Sequence, residues 1–163
     1  MTKKQISLLR PIEDVLSFWD VLTPDERNFI LNTYTLHKYK KNEVIQCEGD
    51  EPTHLMILAE GKVKVYKNGF GNRAQIVRML KPGEHFGYRA IIANEVNSTT
   101  VTAFEDSTIY LISGDIFLSI LRHNNAFCYR FLEELSFDLA ESDARTVNLT
   151  QKHIRGRLAE SLL

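Results

Sequence analysis

The sequence is poor in cysteine: Cys47 and Cys128 stand far apart, with no C-x-x-C pair, which excludes a zinc or iron–sulfur centre built on clustered thiolates. Both are expected to be packed thiols in a reducing compartment. An excess of charge of one sign is also missing, since 20 Lys and Arg face 21 Asp and Glu. That balance removes any global pull toward nucleic acid or an anionic membrane, so a DNA-binding surface is not expected within this chain. No apolar run approaches the length of a membrane span, and the start Met-Thr-Lys-Lys-Gln lacks the apolar core of a signal peptide. The expectation is a cytoplasmic protein with no membrane partner. Catalytic signatures are absent too. No His-x-His lies on any strand, and neither a Ser-His-Asp arrangement nor a Gly-rich phosphate loop with its Lys is present, so no enzyme is expected.

What is present is one core's worth of apolar residues, 44% of a 163-residue chain, enough for a single domain with a tail. Thr23-Pro24-Asp25-Glu26 supplies an N-cap hydroxyl, a proline at the first helical position and a Glu three residues after the cap. A helix is predicted there, with Phe29, Ile30 and Leu31 as its apolar face, fading near Thr33. From Leu36 to Ile112 short strands alternate with turns, at Lys41-Asn42, Glu48 to Pro52, Gly61, the Asn68 to Asn72 hairpin loop and Lys81-Pro82-Gly83. About eight such strands predict a mainly β fold, a small antiparallel barrel or jelly roll with flanking helices.

Residues 83–103 interrupt this pattern. Gly87 follows Phe86, one short helical turn covers Ala90 to Ala93, and Asn97, Ser98 and Thr99 precede a returning strand. A turn of this composition aims backbone N–H groups and hydroxyls at one small anion, so the segment reads as a ligand cradle. After Ser113-Gly114-Asp115 the period becomes helical, first for Ile116 to Arg122 and then from Ala126 to about Leu149. On this last helix Cys128, Phe131, Leu135, Leu139, Ser142, Thr146 and Leu149 recur at three- and four-residue steps, with Glu133, Glu134, Asp138, Glu141 and Arg145 off that line. So narrow a stripe predicts pairing with a second helix, the seam of a homodimer, rather than a helix that only covers its own barrel.

The order of helix, Glu-Gly-Asp turn, Ala-Glu-Gly-Lys-Val-Lys-Val strand, Pro-Gly-Glu-x-Phe-Gly, hairpin and long helix resembles the cyclic-nucleotide-binding domain. More narrowly, it is similar to the sensor half of Crp/Fnr transcription regulators, homodimers that carry a C-terminal winged helix-turn-helix. The resemblance runs from about Val21 to the end, and Gly49, Gly61, Gly83 and Gly87 fall where the family places turn glycines. It implies a jelly-roll (double-stranded β-helix) sensor domain over residues 1–125, a dimerisation helix over 126–151, and the opening of a DNA-binding domain over 152–163. No recognition helix follows, so a truncated regulator is expected, with DNA bound through the missing part.

The resemblance also assigns site residues. In members that bind cyclic AMP, the residue after the cradle glycine is a Glu that accepts from the ribose, and an Arg near the cradle's end pairs with the phosphate. Those positions are Tyr88 and Asn97 here. Losing a charge-assisted Arg–phosphate pair costs roughly several kcal/mol for a partly buried anion, which argues against ordinary cyclic AMP binding. Ser98 matches the family's neighbouring Ser, and Ser142 with Asp143 fall where the long helix reaches toward a purine. Arg89 is read either as a swinging anion partner or as a solvated Arg, and Tyr88 either caps the pocket or fills it. Haem is a further ligand known in the family. None of His37, His54, His85, His123 and His153 pairs at ligand spacing, and His85 near the cradle is the sole axial candidate considered, so haem is not expected. The expected function is effector sensing and dimerisation, with the effector unidentified; a ligand-free dimerisation module and a haem gas sensor are the rivals.

Overall fold

The computed structural model describes residues 9–69 and 74–161, with the side chains of Asn68, Arg145 and residues 148–161 outside that description. Among the described residues eight strands make up the β part: β1 (Thr35–Tyr39), β2 (Val44–Gln46), β3 (His54–Glu60), β4 (Val63–Asn68), β5 (Ala74–Leu80), β6 (His85–Phe86), β7 (Thr100–Ala103) and β8 (Ser107–Ser113). They form two four-stranded sheets, in the orders β1-β8-β3-β6 and β2-β7-β4-β5, paired antiparallel throughout. This is the expected jelly roll.

Among the described residues five helices flank it: α1 (Ile12–Val15), α2 (Pro24–Thr33), α3 (Tyr88–Ala93), α4 (Gly114–His123) and α5 (Asn125–Ser161), with a 3-10 turn at Trp19–Val21. The predicted capping box closes α2, the Thr23 N–H donating to Glu26 Oε2 at 2.8 Å and the Glu26 N–H to Thr23 Oγ1 at 3.3 Å. Glu26 Oε2 also accepts from Asn124 Nδ2 at 2.7 Å, while Asn124 Oδ1 caps the start of α5 by accepting from the Phe127 N–H at 3.0 Å. One carboxylate thus ties the first long helix to the entrance of the last.

The period of two explains why β3 and β8 read as unbroken apolar runs. Leu55, Ile57, Ala59, Tyr110 and Ile112 point outward to the helices, where they pack with Phe18, Phe117, Phe127 and Phe131; Met56, Leu58, Ile109 and Leu111 point inward to Val63, Leu80 and Val101 of the other sheet. Strands β3 and β8 are therefore buried on both faces. Gly61 and Gly87 are required by their surroundings as well as by φ near +90°: a Cβ would lie 2.5 Å from the Asp106 carbonyl oxygen at Gly61, and 2.7 Å from that of His54 at Gly87.

Several expectations are corrected. Only Ile30 of the Phe29-Ile30-Leu31 face is buried, because α2 touches the core along one line and leaves its neighbours in solvent. Cys47 is exposed, at the turn after β2, rather than packed. Phe131, assigned to the dimer seam, is 1% exposed within its own subunit, its ring 5.3 Å from those of Phe18, Tyr88 and Phe117. Leu135 also packs against this cluster. The first two turns of α5 are thus an ordinary core helix. The backbone stays helical across the expected boundary at 151/152, and the seam side chain Leu149 and loop residues 70–73 lie outside the described residues.

Candidate functional site

A cavity of about 690 Å³ opens between the second sheet, the 85–99 segment and α5. Val65, Ile76, Leu80 and Val101 give it an apolar floor; Gly87, Tyr88, Arg89 and Asn97 to Thr99 form one wall, and Leu135, Asp138, Leu139, Ser142 and Thr146 of α5 form the other. The residues expected in the cradle, Phe86, Gly87, Tyr88, Arg89, Asn97 and Ser98, all line it, and so does Ser142. Asp143 does not. It is exposed on the outward side of α5, because one step along a helix turns a side chain by about 100° from its neighbour.

The stripe read as a seam is therefore largely a cavity wall. Leu135, Ser142 and Thr146 face the barrel's own hollow, a second line, Tyr129, Leu132, Ser136, Asp143 and Val147, runs along the outside, and the largely exposed Leu139 lies on the edge that the two share. Tyr129, Leu132, Leu139 and Val147 are each more than half exposed. With Phe137 they are the large apolar side chains of α5 that stand exposed among the described residues.

Asp138 joins three elements at the cavity. Its Oδ2 accepts from Arg78 Nη1 of β5 at 3.0 Å and from the Tyr88 hydroxyl of α3 at 3.1 Å, and Arg78 Nη2 donates to Glu84 Oε1 at 2.9 Å. Burial opposes the Arg78 charge, but the two carboxylates more than offset it and its pKa rises. Burial first, and then the Asp138 charge, push the Tyr88 phenol up to about 12, so it remains a donor. Tyr88 forms part of the cavity wall: its ring is buried against Phe131 and its hydroxyl donates to Asp138. Arg89 sits exposed at the rim.

Asn97 is 4% exposed, and its Oδ1 is buried with no hydrogen-bond partner among the described residues. Its backbone is pinned on both sides, since the Gly49 N–H donates to Asn97 O at 2.8 Å and the Asn97 N–H donates to Asp50 O at 2.9 Å. The side chain cannot back out toward water, and an acceptor left unmade in this way costs about 1–3 kcal/mol. Arg78 and Asp138 were not found by sequence reasoning. A signal existed for Asp138, which lies three residues after Leu135 and four before Ser142 and so shares their face.

His85 is packed among aromatic rings at the edge of the cavity. Its ring lies 5.2 Å from those of Phe18 and Tyr88, and burial pushes its pKa down to about 4. It is neutral near pH 7, so the 3.7 Å approach of Nε2 to Glu134 is a polar contact and not an ion pair. Because the unfolded chain binds this proton near pH 6.5 and the folded one only near 4, stability falls as pH drops through that window. Burial raises the Glu134 carboxyl and offsets part of the loss. Urea unfolding at pH 7.0 and 4.5 is expected to differ by about 2–3 kcal/mol more in the natural chain than in a His85→Gln variant. Equal differences in the two proteins would show that His85 does not carry the effect. Among the described residues no His, Cys, Asp and Glu cluster could hold a metal, and no helix is long and apolar enough to cross a membrane.

Residues 36–124, more than half of the chain, match the family model of the cyclic nucleotide-binding domain. The cyclic AMP receptor protein of Thermus thermophilus is 25% identical over 142 residues, 87% of this chain and 66% of that protein. A cGMP-dependent protein kinase of Toxoplasma gondii is 34% identical over 106 residues, 65% of this chain and 10% of the kinase. The chain thus spans just under two thirds of the first relative and about a tenth of the second. Among solved structures, the sensor domain of the transcriptional regulator DNR from Pseudomonas aeruginosa superposes with a TM-score of 0.70 at 19% identity, covering 86% of this chain and 93% of that one, a likeness of fold.

Proposed function

The chain belongs to the cyclic nucleotide-binding domain family, and on that premise we propose that it is the effector-sensing and dimerisation part of a Crp/Fnr-type transcriptional regulator. A small molecule enters the cavity between barrel and α5 and biases two arrangements of a helix pair. Residues 152–163 begin a DNA-binding domain whose orientation follows that bias. The carrying observation is that α5 supplies one wall of the cavity while presenting a second apolar line, Tyr129, Leu132 and Val147, to the outside, with Leu139 on the edge between the two. A ligand touching the inner face acts on the same rigid rod that a second copy would grip from the outer face. A few kcal/mol of differential affinity suffices for such a switch.

The outer line, rather than Phe131 and Leu135, is the dimer seam in this reading. Its apolar members recur at coiled-coil spacing, with Ser136 and Asp143 as polar interruptions that fix register at some cost in affinity. Sedimentation equilibrium is expected to show a dimer that Leu132→Glu weakens by at least about tenfold, by placing a carboxylate in a desolvated seam, while circular dichroism stays unchanged. A lone protomer at all concentrations would remove the dimerisation half of the proposal. Hydrogen exchange reads the sensing half: ligand in the cavity should alter protection along α5, and a bound ligand that leaves α5 unmoved would end that half.

A further inference from the structure

We infer that Asp143 sets how strongly two copies of this chain pair: it puts a carboxylate without a counter-charge on the outer line of α5, and the two equivalent charges hold the homodimer weak. The inference rests on the proposed dimer, taken with its two rods side by side in one direction so that both C-terminal ends lie at the same end of the pair. It concerns what controls that dimer.

Position is the first support. Asp143 is exposed and shares the outer line with Leu132, Ser136 and Val147. In a symmetric parallel pair of rods a residue on this line meets its own copy, so the two carboxylates face each other across the two-fold axis. The surroundings are the second. The residues three and four positions away, which share its face of the helix, are Leu139, Ala140, Thr146 and Val147, and none is charged. Between 139 and 147 the only basic residue is Arg145, two steps on and so about 200° around the helix. No cation from either rod therefore stands beside the pair. Like charges brought together where the seam partly excludes water repel, and here nothing offsets that repulsion.

The third support is the residue before it. Ser142 lines the cavity. One turn of α5 thus holds a cavity contact on its inner side and the repelling charge on its outer side. The apolar members Tyr129, Leu132 and Val147 favour association while Asp143 opposes it, and repulsion between charges changes with their separation. A ligand that shifts this turn acts where the two terms nearly balance, so a small bias decides how much dimer forms.

Sedimentation equilibrium with two substitutions tests the inference. Asp143→Asn, which keeps the shape and removes the charge, is expected to lower the dimer Kd by about tenfold or more. Asp143→Lys alone restores a like-charged pair and should stay weak, whereas an equimolar mixture of Asp143→Lys with the natural chain sets opposite charges face to face and should associate about tenfold more tightly than either protein by itself. Raising sodium chloride from about 0.05 to about 0.5 M should tighten the natural dimer several-fold by screening, and tighten Asp143→Asn much less. A natural dimer that Asp143→Asn leaves no tighter overturns the inference and spares the dimer. So does a mixture no tighter than its components, since the two carboxylates then do not face each other. A chain that is monomeric in its natural form and dimeric as Asp143→Asn supports the inference, and one that is monomeric in every form overturns both it and the dimer.

Discussion

Phe131→Ala is expected to lower the unfolding free energy by about 3–5 kcal/mol, measured by urea titration at neutral pH, with little change in the denaturant slope. The ring is almost fully enclosed by Phe18, His85, Tyr88, Phe117 and Phe127, so truncation removes transfer free energy and leaves a hole that these five stiff aromatic neighbours cannot fill by small shifts. For a domain whose total stability is typically about 5–15 kcal/mol, that leaves a marginal protein. The prediction separates two roles for the start of α5. A Phe131 in a dimer seam would, when truncated, shift the monomer–dimer equilibrium and make the apparent stability depend on concentration. A Phe131 in the subunit core gives the same loss at every concentration, and only that result is compatible with the enclosure seen here. A loss below about 1 kcal/mol would mean that the aromatic cluster does not hold α5 to the barrel.

The same residue marks the boundary between what was legible in the sequence and what was not. Strands and turns were legible because each carries its own local signature: alternation along Lys62 to Lys67, glycines at positive φ at positions 49, 61, 83 and 87, and a capping box at Thr23. Three- and four-residue steps on α5 likewise showed which side chains share a face. They could not show what covers that face, because an apolar stripe looks the same whether its cover is another subunit or the chain's own barrel. Phe131 and Leu135 were therefore grouped with the seam although the subunit's own core covers them, Ser142 was placed on the cavity where it lies, and Tyr129 and Leu132, one step aside, were passed over. The cradle was legible for the opposite reason. Gly87, Asn97 and Ser98 lie within a single short segment, so that local order alone brings them to one wall. Arg78 and Asp138 are 60 residues apart, and their meeting depends on where β5 and α5 cross.

That crossing gives the remaining large effect. Asp138→Ala removes an acceptor shared by Arg78 and Tyr88, and hydrogen bonds to charged groups are worth about 1.5–3 kcal/mol each before discounting for partial exposure. A net loss of about 1–2 kcal/mol on the docked face of α5 corresponds to roughly 5–30-fold faster amide exchange there. The increase should be confined to about residues 135–147 of α5 and the adjoining α3, with β3 and β8 unchanged, because those strands are held by apolar packing on both faces. Tyr88→Phe removes only one of the two bonds and should give a smaller increase. Arg78→Gln should match Asp138→Ala more closely, since it leaves Asp138 and Glu84 facing one another without a cation between them. In the double variant the effects should fall well short of additive, the mark of partners in one contact. Unchanged exchange on α5 in Asp138→Ala would mean that the rod rests on the barrel through Phe131 and Leu135 alone. The cavity would then have no polar linkage to the helix, and its occupancy could reach the helix only through packing.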